Sequence, residues 1–208
     1  MPDKTDEAIQ RSVDYYNSSD TDNYYRRIWG GESIHVGIYD KPGIGIREAA
    51  RAAVTYLANR LDTLGPASTV IDLGSGFGGP LRQLVTDYGC HGIALNASAL
   101  ELEEMARANQ RAGLAEKIKP LEGNYEDIPL DDAQADIAWS QEAFLHCGDR
   151  AKLMREVFRI LKPGGEFIFA DPMATESAPV EVLQPMLERA NLVSFGTVAG
   201  YLADAKAA

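Results

Sequence analysis

The sequence predicts an α/β fold with a mainly parallel sheet and helices on both faces. Short β-branched runs alternate along the chain with longer stretches of helical period, and such alternation implies right-handed crossovers between parallel strands. A cluster of glycines stands directly after the first strand-like run and before the next helix-like stretch. The chain has 208 residues, which is room for one such domain with a sizeable core.

The first predicted elements are a polar N-terminal segment, a helix and a strand. Residues 1–45 lack a strand–helix rhythm, so we predict a cap of one or two helices and a loop there, and place the main domain at 46–208. Apolar residues recur at helical spacing over 47–64, and a Gly-Pro pair ends the pattern. The β-branched run 68–73 has the form of a buried parallel strand.

The alternation then repeats to the end of the chain. Ser98 is predicted to cap a helix that carries Glu101 at the capping-box position, and the Lys-Pro-Gly-Gly segment from Lys162 is predicted to be a turn. The predicted helices cover 80–88, 98–112, 150–161 and 180–191, and the predicted strands cover 91–95, 118–121, 135–140 and 166–170.

Composition and charge exclude several classes of function. The formal net charge of −11 argues against binding to nucleic acid or to an anionic membrane. No apolar run approaches the roughly 20 residues that span a bilayer, and the polar start is unlike a secretory signal, so we expect a cytoplasmic protein. Cys90 and Cys147 stand in unrelated contexts without metal-ligand spacing, which predicts free thiols and no metal site.

The glycine cluster runs from Asp72 to Gly79 and is the first candidate binding site. Glycines allow a tight turn and a close approach of backbone to a ligand. The spacing is G-x-G-x-G-G and no Lys-Ser/Thr pair follows, which excludes a phosphate-binding P-loop. Asp72 could orient the loop and hold an ammonium group or a water. The alternative is a tight turn that binds nothing.

Two further polar segments follow the second and third predicted strands. A nucleoside-binding fold commonly has a carboxylate after the second strand for the ribose hydroxyls, and this chain has Asn96 there. An amide can also bond a diol, although without charge assistance, and a loop residue with left-handed backbone is the alternative. Asn124 and Tyr125 could meet an adenine, whereas Glu126 and Asp127 could equally be solvated carboxylates.

A fourth polar segment follows the strand at 135–140. Ligands of open parallel sheets bind at the carboxyl ends of the strands, which is where Gln141 and its neighbours fall. If Glu142 and His146 opened a helix, their i, i+4 spacing would place both on one face. A structural histidine is the alternative.

Taken together, these segments resemble the class I S-adenosylmethionine-dependent methyltransferases, whose fold is Rossmann-like. The segments DLGSGFGG and LKPGG are shared across that class. The segments IWGGESIH and SQEAFLHCGDR are similar more narrowly to sarcosine and dimethylglycine N-methyltransferases, which make glycine betaine, and more distantly to phosphoethanolamine and tocopherol-type methyltransferases. The resemblance extends from Tyr15 to about Gly200.

The resemblance implies a cofactor, S-adenosylmethionine with the product S-adenosylhomocysteine, and a role for each matching residue. It places the methionine part of the cofactor at the glycine loop, the ribose at Asn96 and the adenine at Asn124 and Tyr125. The implied cofactor residues are Asp72, Gly74, Ser75, Gly76, Asn96, Asn124, Tyr125, Ser140 and Gln141, the last two near the sulfonium.

The resemblance also implies an acceptor site. His146 or Tyr16 would remove the amine proton or orient the nitrogen. Trp29 would face a quaternary ammonium and Arg47 would hold the acceptor carboxylate, with plain packing and a surface position as their alternatives. The implied acceptor-site residues are Trp29, His35, Arg47, Met173 and His146.

The C-terminal part of the sequence departs from the resemblance. Class I methyltransferases finish with a sixth and a seventh strand, and nothing after residue 191 has that form. We therefore expect an uncovered sheet edge through which copies could form a homo-oligomer. The expected function is N-methylation of sarcosine, dimethylglycine or both. The alternatives are methylation of another small molecule (an O-, C- or phosphoethanolamine-type acceptor) and a cofactor-binding module without turnover.

Overall fold

A parallel β-sheet forms the centre of the computed structural model, which describes Arg11 and residues 32–208. Five strands lie in the order β3-β2-β1-β4-β5, and every neighbouring pair is parallel. The predicted α/β fold class is therefore confirmed. The strands are β1 Thr69–Leu73, β2 His91–Asn96, β3 Ile118–Glu122, β4 Ala135–Gln141 and β5 Leu161–Ala170.

Helices cover both faces of the sheet. Along β1, Val70 packs into one core with side chains of the first three helices, whereas Ile71 and Leu73 pack into a second core with the helices Arg150–Ile160 and Val198–Ala207. Burial of both faces explains why the strand is almost continuously apolar. The helices are α1 Ile46–Ala58, α2 Gly79–Tyr88, α3 Ala99–Arg111, α4 Arg150–Ile160, α5 Val180–Arg189 and α6 Val198–Ala207.

The predicted turn at Lys162 lies inside β5. Strand pairing passes from Leu161 beside Ala135 directly to Glu166 beside Ile137, so residues 162–165 bulge out of the ladder. Gly164 has a φ of +81°, in the left-handed region that glycine tolerates. The strand prediction for 166–170 was correct, but pairing already begins before the turn.

The last helix, α6, is a helix that the sequence pattern did not predict. Thr197 caps it by accepting a hydrogen bond from the N–H of Gly200. Tyr201 is its one buried side chain, and the tyrosine ring lies 4.9 Å from that of Phe169 on β5. A helix with a single buried residue has no apolar period to detect.

Residues 32–45 form neither helix nor strand, and the helices predicted for the N-terminal cap would fall in the part of the chain that is not described. Among the described residues, no helix combines the length and the apolar character needed to cross a membrane.

Candidate active site

A cleft opens at the carboxyl ends of the strands, where β1 lies between β2 and β4. The chain leaves β1 towards β2 and β3 on one side and later returns to β4 and β5 on the other, so this is the switch point of the sheet. Ligands of open parallel sheets bind at such points. The empty volume of the cleft is about 880 Å³, including space open to solvent.

The glycine loop forms the floor of the cleft between β1 and α2. The N–H groups of Gly74 and Ser75 both donate to the carbonyl of Leu95, which fixes the loop against the end of β2. Gly74 has a φ of +81°, and a Cβ there would collide with the Ala143 side chain. Glycine is therefore required at Gly74 both by the backbone conformation and by the close approach of the next loop.

Asp72 is the penultimate residue of β1, beneath this loop, and is 2% exposed. Burial raises the pKa of its carboxyl to about 7. Its Oδ2 atom and the Oε1 atom of Gln141 are buried and have no hydrogen-bond donor among the described residues. Both residues line the cleft. Two buried acceptors without a donor fit a ligand that brings an ammonium group.

Asn96 ends β2 and lines the cleft together with Glu101, which lies in the first turn of α3. The Nδ2 atom of Asn96 donates to Glu101 Oε2 at 2.6 Å. Ser98 caps the helix as predicted, accepting from the N–H of Glu101. Glu101 therefore supplies the carboxylate that is absent at Asn96. The sequence pattern had indicated Glu101 only as a helix-capping residue.

Asn124 and Tyr125 also line the cleft, after β3. The Tyr125 hydroxyl donates to the carbonyl of Ala143 at 3.2 Å, and its ring meets Phe144 edge-on. These contacts join the loop after β3 to the loop after β4 across the end of β1.

Glu126 is a structural anchor, so its interpretation as a solvated carboxylate was wrong. The residue is 1% exposed and accepts hydrogen bonds from the N–H groups of Gly148 at 2.7 Å and Asp149 at 3.0 Å, and from the Cys147 thiol at 3.4 Å. Asp127 beside it is exposed, as that interpretation expected.

The end of β4 provides Gln141 to the cleft, and the segment after β4 provides Glu142 and His146. Glu142 and His146 do not open an α-helix: a 3-10 helix covers Phe144–His146, and Glu142 precedes it with a φ of +54°. Ser140 lies outside the cleft lining, because its hydroxyl is buried and donates to the carbonyl of Leu73 at 2.8 Å.

Both histidines of the cleft are buried and held in the neutral form. Burial lowers the pKa of His146 to about 4 and also lowers that of His35. The ring of His35 lies 3.5 Å from the side-chain amide of Gln141, measured between Nδ1 and Nε2. A histidine with so low a pKa is a weak proton acceptor, which counts against the predicted role of His146 as a base.

Residues 32–38, which we call the strap, cross the cleft from α2 to α1. The carbonyl of Glu32 accepts from the N–H of Gly79 at 3.0 Å, and the N–H of Ile38 donates to the carbonyl of Ala49 at 2.9 Å. Between these ends, the N–H of Val36 donates to Glu142 at 2.8 Å. The strap is held largely by backbone groups, which leave no signature in the sequence.

The described structure places two predicted acceptor-site residues away from the cleft. Arg47 is exposed on α1, and Met173 is half-buried against the second core and forms a bridge with Gly196. Neither lines the cleft. Tyr16 and Trp29 lie outside the described residues.

Acidic side chains dominate the charge of the cleft lining. Glu32, Asp72, Glu101 and Glu142 contribute carboxylates, whereas no Lys or Arg of the described residues lines the cleft. The described residues also contain no group of three side chains that could hold a metal ion. The site therefore suits a positively charged organic ligand.

Comparisons with known proteins agree with this geometry. Residues 71–169 match a family described as a methyltransferase domain. A sarcosine/dimethylglycine N-methyltransferase of Halorhodospira halochloris is 44% identical, covering 92% of this chain and 69% of that protein. One of Aphanothece halophytica is 39% identical, covering 95% and 72%. A crystal structure from Galdieria sulphuraria, assigned provisionally to a sarcosine dimethylglycine methyltransferase, has a TM-score of 0.86 at 36% identity, covering 91% of this chain and 73% of that one.

The parallel sheet, the glycine loop and the acidic cleft thus define a methyltransferase, and its cofactor is S-adenosylmethionine. The predicted resemblance, enzyme class and cofactor are confirmed. Within that class, the chain belongs to the sarcosine/dimethylglycine N-methyltransferase family.

Proposed function

We propose that this chain methylates the nitrogen of sarcosine and dimethylglycine, the second of which becomes glycine betaine. The observation that carries the proposal is the lining of the cleft, in which the glycine loop is combined with four carboxylates and no Lys or Arg of the described residues. Such a lining favours acceptors that present a cationic nitrogen. Relatives at 39–44% identity that carry these substrates in their names support the choice of amine.

The described residues fit the cofactor along the whole cleft. The loop at Gly74 would face its methionine part, and Asp72 and Gln141 offer acceptors to its ammonium group. Asn96 and Glu101 would hold the ribose hydroxyls, and the adenine would lie at Asn124 and Tyr125. When bound, S-adenosylmethionine supplies an electrophilic methyl group on a sulfonium.

The remaining residues of the cleft orient the acceptor and exclude water. Methyl transfer to nitrogen is an in-line displacement that needs alignment and an unprotonated nitrogen. The strap covers the cleft beside the glycine loop and brings His35 into the lining. The low pKa of His146, about 4, makes it a weak base, so it would orient the acceptor through a hydrogen bond rather than act as the main proton acceptor.

A phosphorylated acceptor fits this lining poorly. A phosphate dianion next to several carboxylates, with no Lys or Arg of the described residues in the lining, is electrostatically unfavourable. The alternative of a phosphoethanolamine-type acceptor is disfavoured on this ground.

Three further parts of the proposal concern the N-terminal segment, the oligomeric state and the location of the enzyme. We propose that residues 1–45 contribute to the acceptor site. The strap, which is part of this segment, supports the proposal because some of its residues line the cleft. We propose that copies associate through β5, which pairs with β4 on one side and lies at the sheet edge. We also propose that the enzyme works in the cytoplasm.

The proposal is tested by incubating the purified chain and S-adenosylmethionine with glycine, sarcosine, dimethylglycine or phosphoethanolamine. We expect S-adenosylhomocysteine to accumulate with sarcosine and dimethylglycine and not with phosphoethanolamine. Cofactor binding without turnover of either expected amine would refute the proposed acceptor and leave the family assignment intact.

A further inference from the structure

We propose that Glu142 is a catalytic residue whose carboxylate contacts the acceptor nitrogen. In this role it accepts the proton from the ammonium form of the amine and then faces the cation that methylation produces. The inference rests on the proposed function, because it concerns the same amine in the same cleft.

The order of the strands divides the cleft into two halves. Asn96 and Tyr125 follow β2 and β3 on one side of β1, and Glu142 follows β4 on the other side. The nucleoside of the cofactor belongs to the half formed by β2 and β3, where polar side chains match ribose and base. The reacting end therefore lies in the half formed by β4 and the strap.

The backbone of Glu142 is held in a conformation that is unusual for its residue type. Its φ is +54°, a region that few residues other than glycine adopt, and its N–H donates to the carbonyl of Ala170 at 2.7 Å. Non-glycine residues in such conformations concentrate at functional sites, because the surrounding structure must compensate for the strain. The strained backbone here directs a carboxylate onto the wall of the cleft.

The side chain of Glu142 is fixed at one oxygen and available at the other. Oε1 accepts from the N–H of Val36 on the strap at 2.8 Å. Within the described residues, no donor bonds Oε2 and no Lys or Arg forms an ion pair with this carboxylate. Burial raises its pKa, which the hydrogen bond from Val36 partly offsets. A half-buried carboxylate with one open oxygen suits a cationic nitrogen.

Each of the other three carboxylates of the cleft suits a different role. Glu32 lies 3.6 Å from the guanidinium of Arg82, and Glu101 accepts from Asn96 at 2.6 Å. Asp72 lies at the end of β1 beneath the glycine loop, where it suits the ammonium group of the cofactor. Glu142 is thus the carboxylate that remains for the acceptor.

The proposed step is a proton transfer. The N–H bond of the ammonium breaks, an O–H bond forms on Glu142, and the carboxylate becomes neutral while the electron pair stays on nitrogen. That pair is the nucleophile for methyl transfer. After the proton has passed to solvent, the carboxylate is again negative and lies against the methylated cation.

The test compares two ligands of the same shape and different charge, glycine betaine and 3,3-dimethylbutanoate, in which carbon replaces the quaternary nitrogen. Their binding to the S-adenosylhomocysteine complex is measured by calorimetry for the wild type, Glu142→Gln and Glu116→Gln. In Glu142→Gln the new side-chain amide oxygen can still accept from Val36, so the strap keeps its anchor. Glu116 is exposed and outside the cleft lining, so its variant controls for the loss of one negative charge.

We expect Glu142→Gln to weaken the binding of glycine betaine about tenfold or more and to change the affinity for 3,3-dimethylbutanoate by less than about twofold. The same variant should have a lower kcat/KM for dimethylglycine. Glu116→Gln should change none of these values. Equal effects of Glu142→Gln on both ligands, or no effect on either, would overturn the inference. Wild-type protein that binds S-adenosylhomocysteine but does not turn over sarcosine or dimethylglycine would instead overturn the proposed function, and the inference with it.

Discussion

The side-chain amide of Asn96 donates a hydrogen bond of 2.6 Å to the carboxylate of Glu101, and both side chains line the cleft. Asn96 ends β2, whereas Glu101 lies in the first turn of α3. Together they present an amide and a carboxylate where a nucleoside-binding fold commonly has one acidic residue. The pair therefore places a negative charge beside Asn96, and this charge comes from the helix.

Replacing Glu101 by Gln should weaken S-adenosylhomocysteine binding about tenfold, because hydrogen bonds to the ribose lose their charge assistance. The matched control is Glu103→Gln on the same helix, where the carboxylate is exposed and forms a surface pair with Arg107. Calorimetric titration of both variants measures the effect. Equal affinity in the two variants would show that Glu101 does not contribute to cofactor binding.

Replacing Glu126 by Ala should lower the free energy of unfolding by on the order of 3 kcal/mol. The change leaves the N–H groups of Gly148 and Asp149 without their buried acceptor. Urea unfolding followed by circular dichroism measures the loss. The exposed neighbour gives the comparison: Asp127→Ala should stay within about 0.5 kcal/mol of the wild type. A similar small change in Glu126→Ala would contradict its role as an anchor.

The buried carboxyl of Asp72 should make the cofactor-free enzyme less stable as pH rises. Burial raises its pKa from 3.8 to about 7, so between these values the folded state binds more protons than the unfolded state. Stability is then lost with increasing pH, at a slope of at most about 1.4 kcal/mol per pH unit. Asp72→Asn should remove this contribution, as seen in urea unfolding at several pH values, whereas exposed Asp131→Asn should not. Parallel pH profiles for the wild type and Asp72→Asn would contradict the prediction.

His146 should act on stability in the opposite direction. Burial lowers its pKa from 6.5 to about 4, so in this range the unfolded state binds more protons and stability increases as pH rises. His146→Gln should therefore flatten the rise of the free energy of unfolding between pH 4 and 6.5. The decrease with pH that Asp72 causes should then become visible. The same unfolding series, repeated without cofactor, measures this difference. An unchanged slope in His146→Gln would mean that the histidine is solvated in the folded state.

Most of the central fold could be predicted from the sequence because its pattern is local. The apolar runs of the strands and the turn chemistry of the glycine loop, with φ of +81° at Gly74, are properties of consecutive residues. The bulge at residues 162–165 and the helix α6 could not be placed in this way. Both depend on pairing or packing with distant residues, Ala135 for β5 and Phe169 for Tyr201.

The same distinction between local pattern and distant contact applies to the candidate site. The predicted residues at the strand ends, such as Asn96 and Gln141, do line the cleft, because topology alone brings strand ends together. The strap was not foreseen, since backbone hydrogen bonds such as that from Gly79 to Glu32 carry no side-chain signal. The anchoring of Glu126 by Gly148 was also missed, because the partners are 22 residues apart.

Methyl transfer from the cofactor to the amine can be followed directly with a labelled methyl group. S-adenosylmethionine with a deuterated methyl group is incubated with the purified chain and dimethylglycine, and the product is analysed by mass spectrometry. We expect glycine betaine that carries one deuterated methyl group, formed in proportion to enzyme concentration. Unlabelled dimethylglycine as the only recovered amine, from protein that binds S-adenosylhomocysteine, would contradict this expectation.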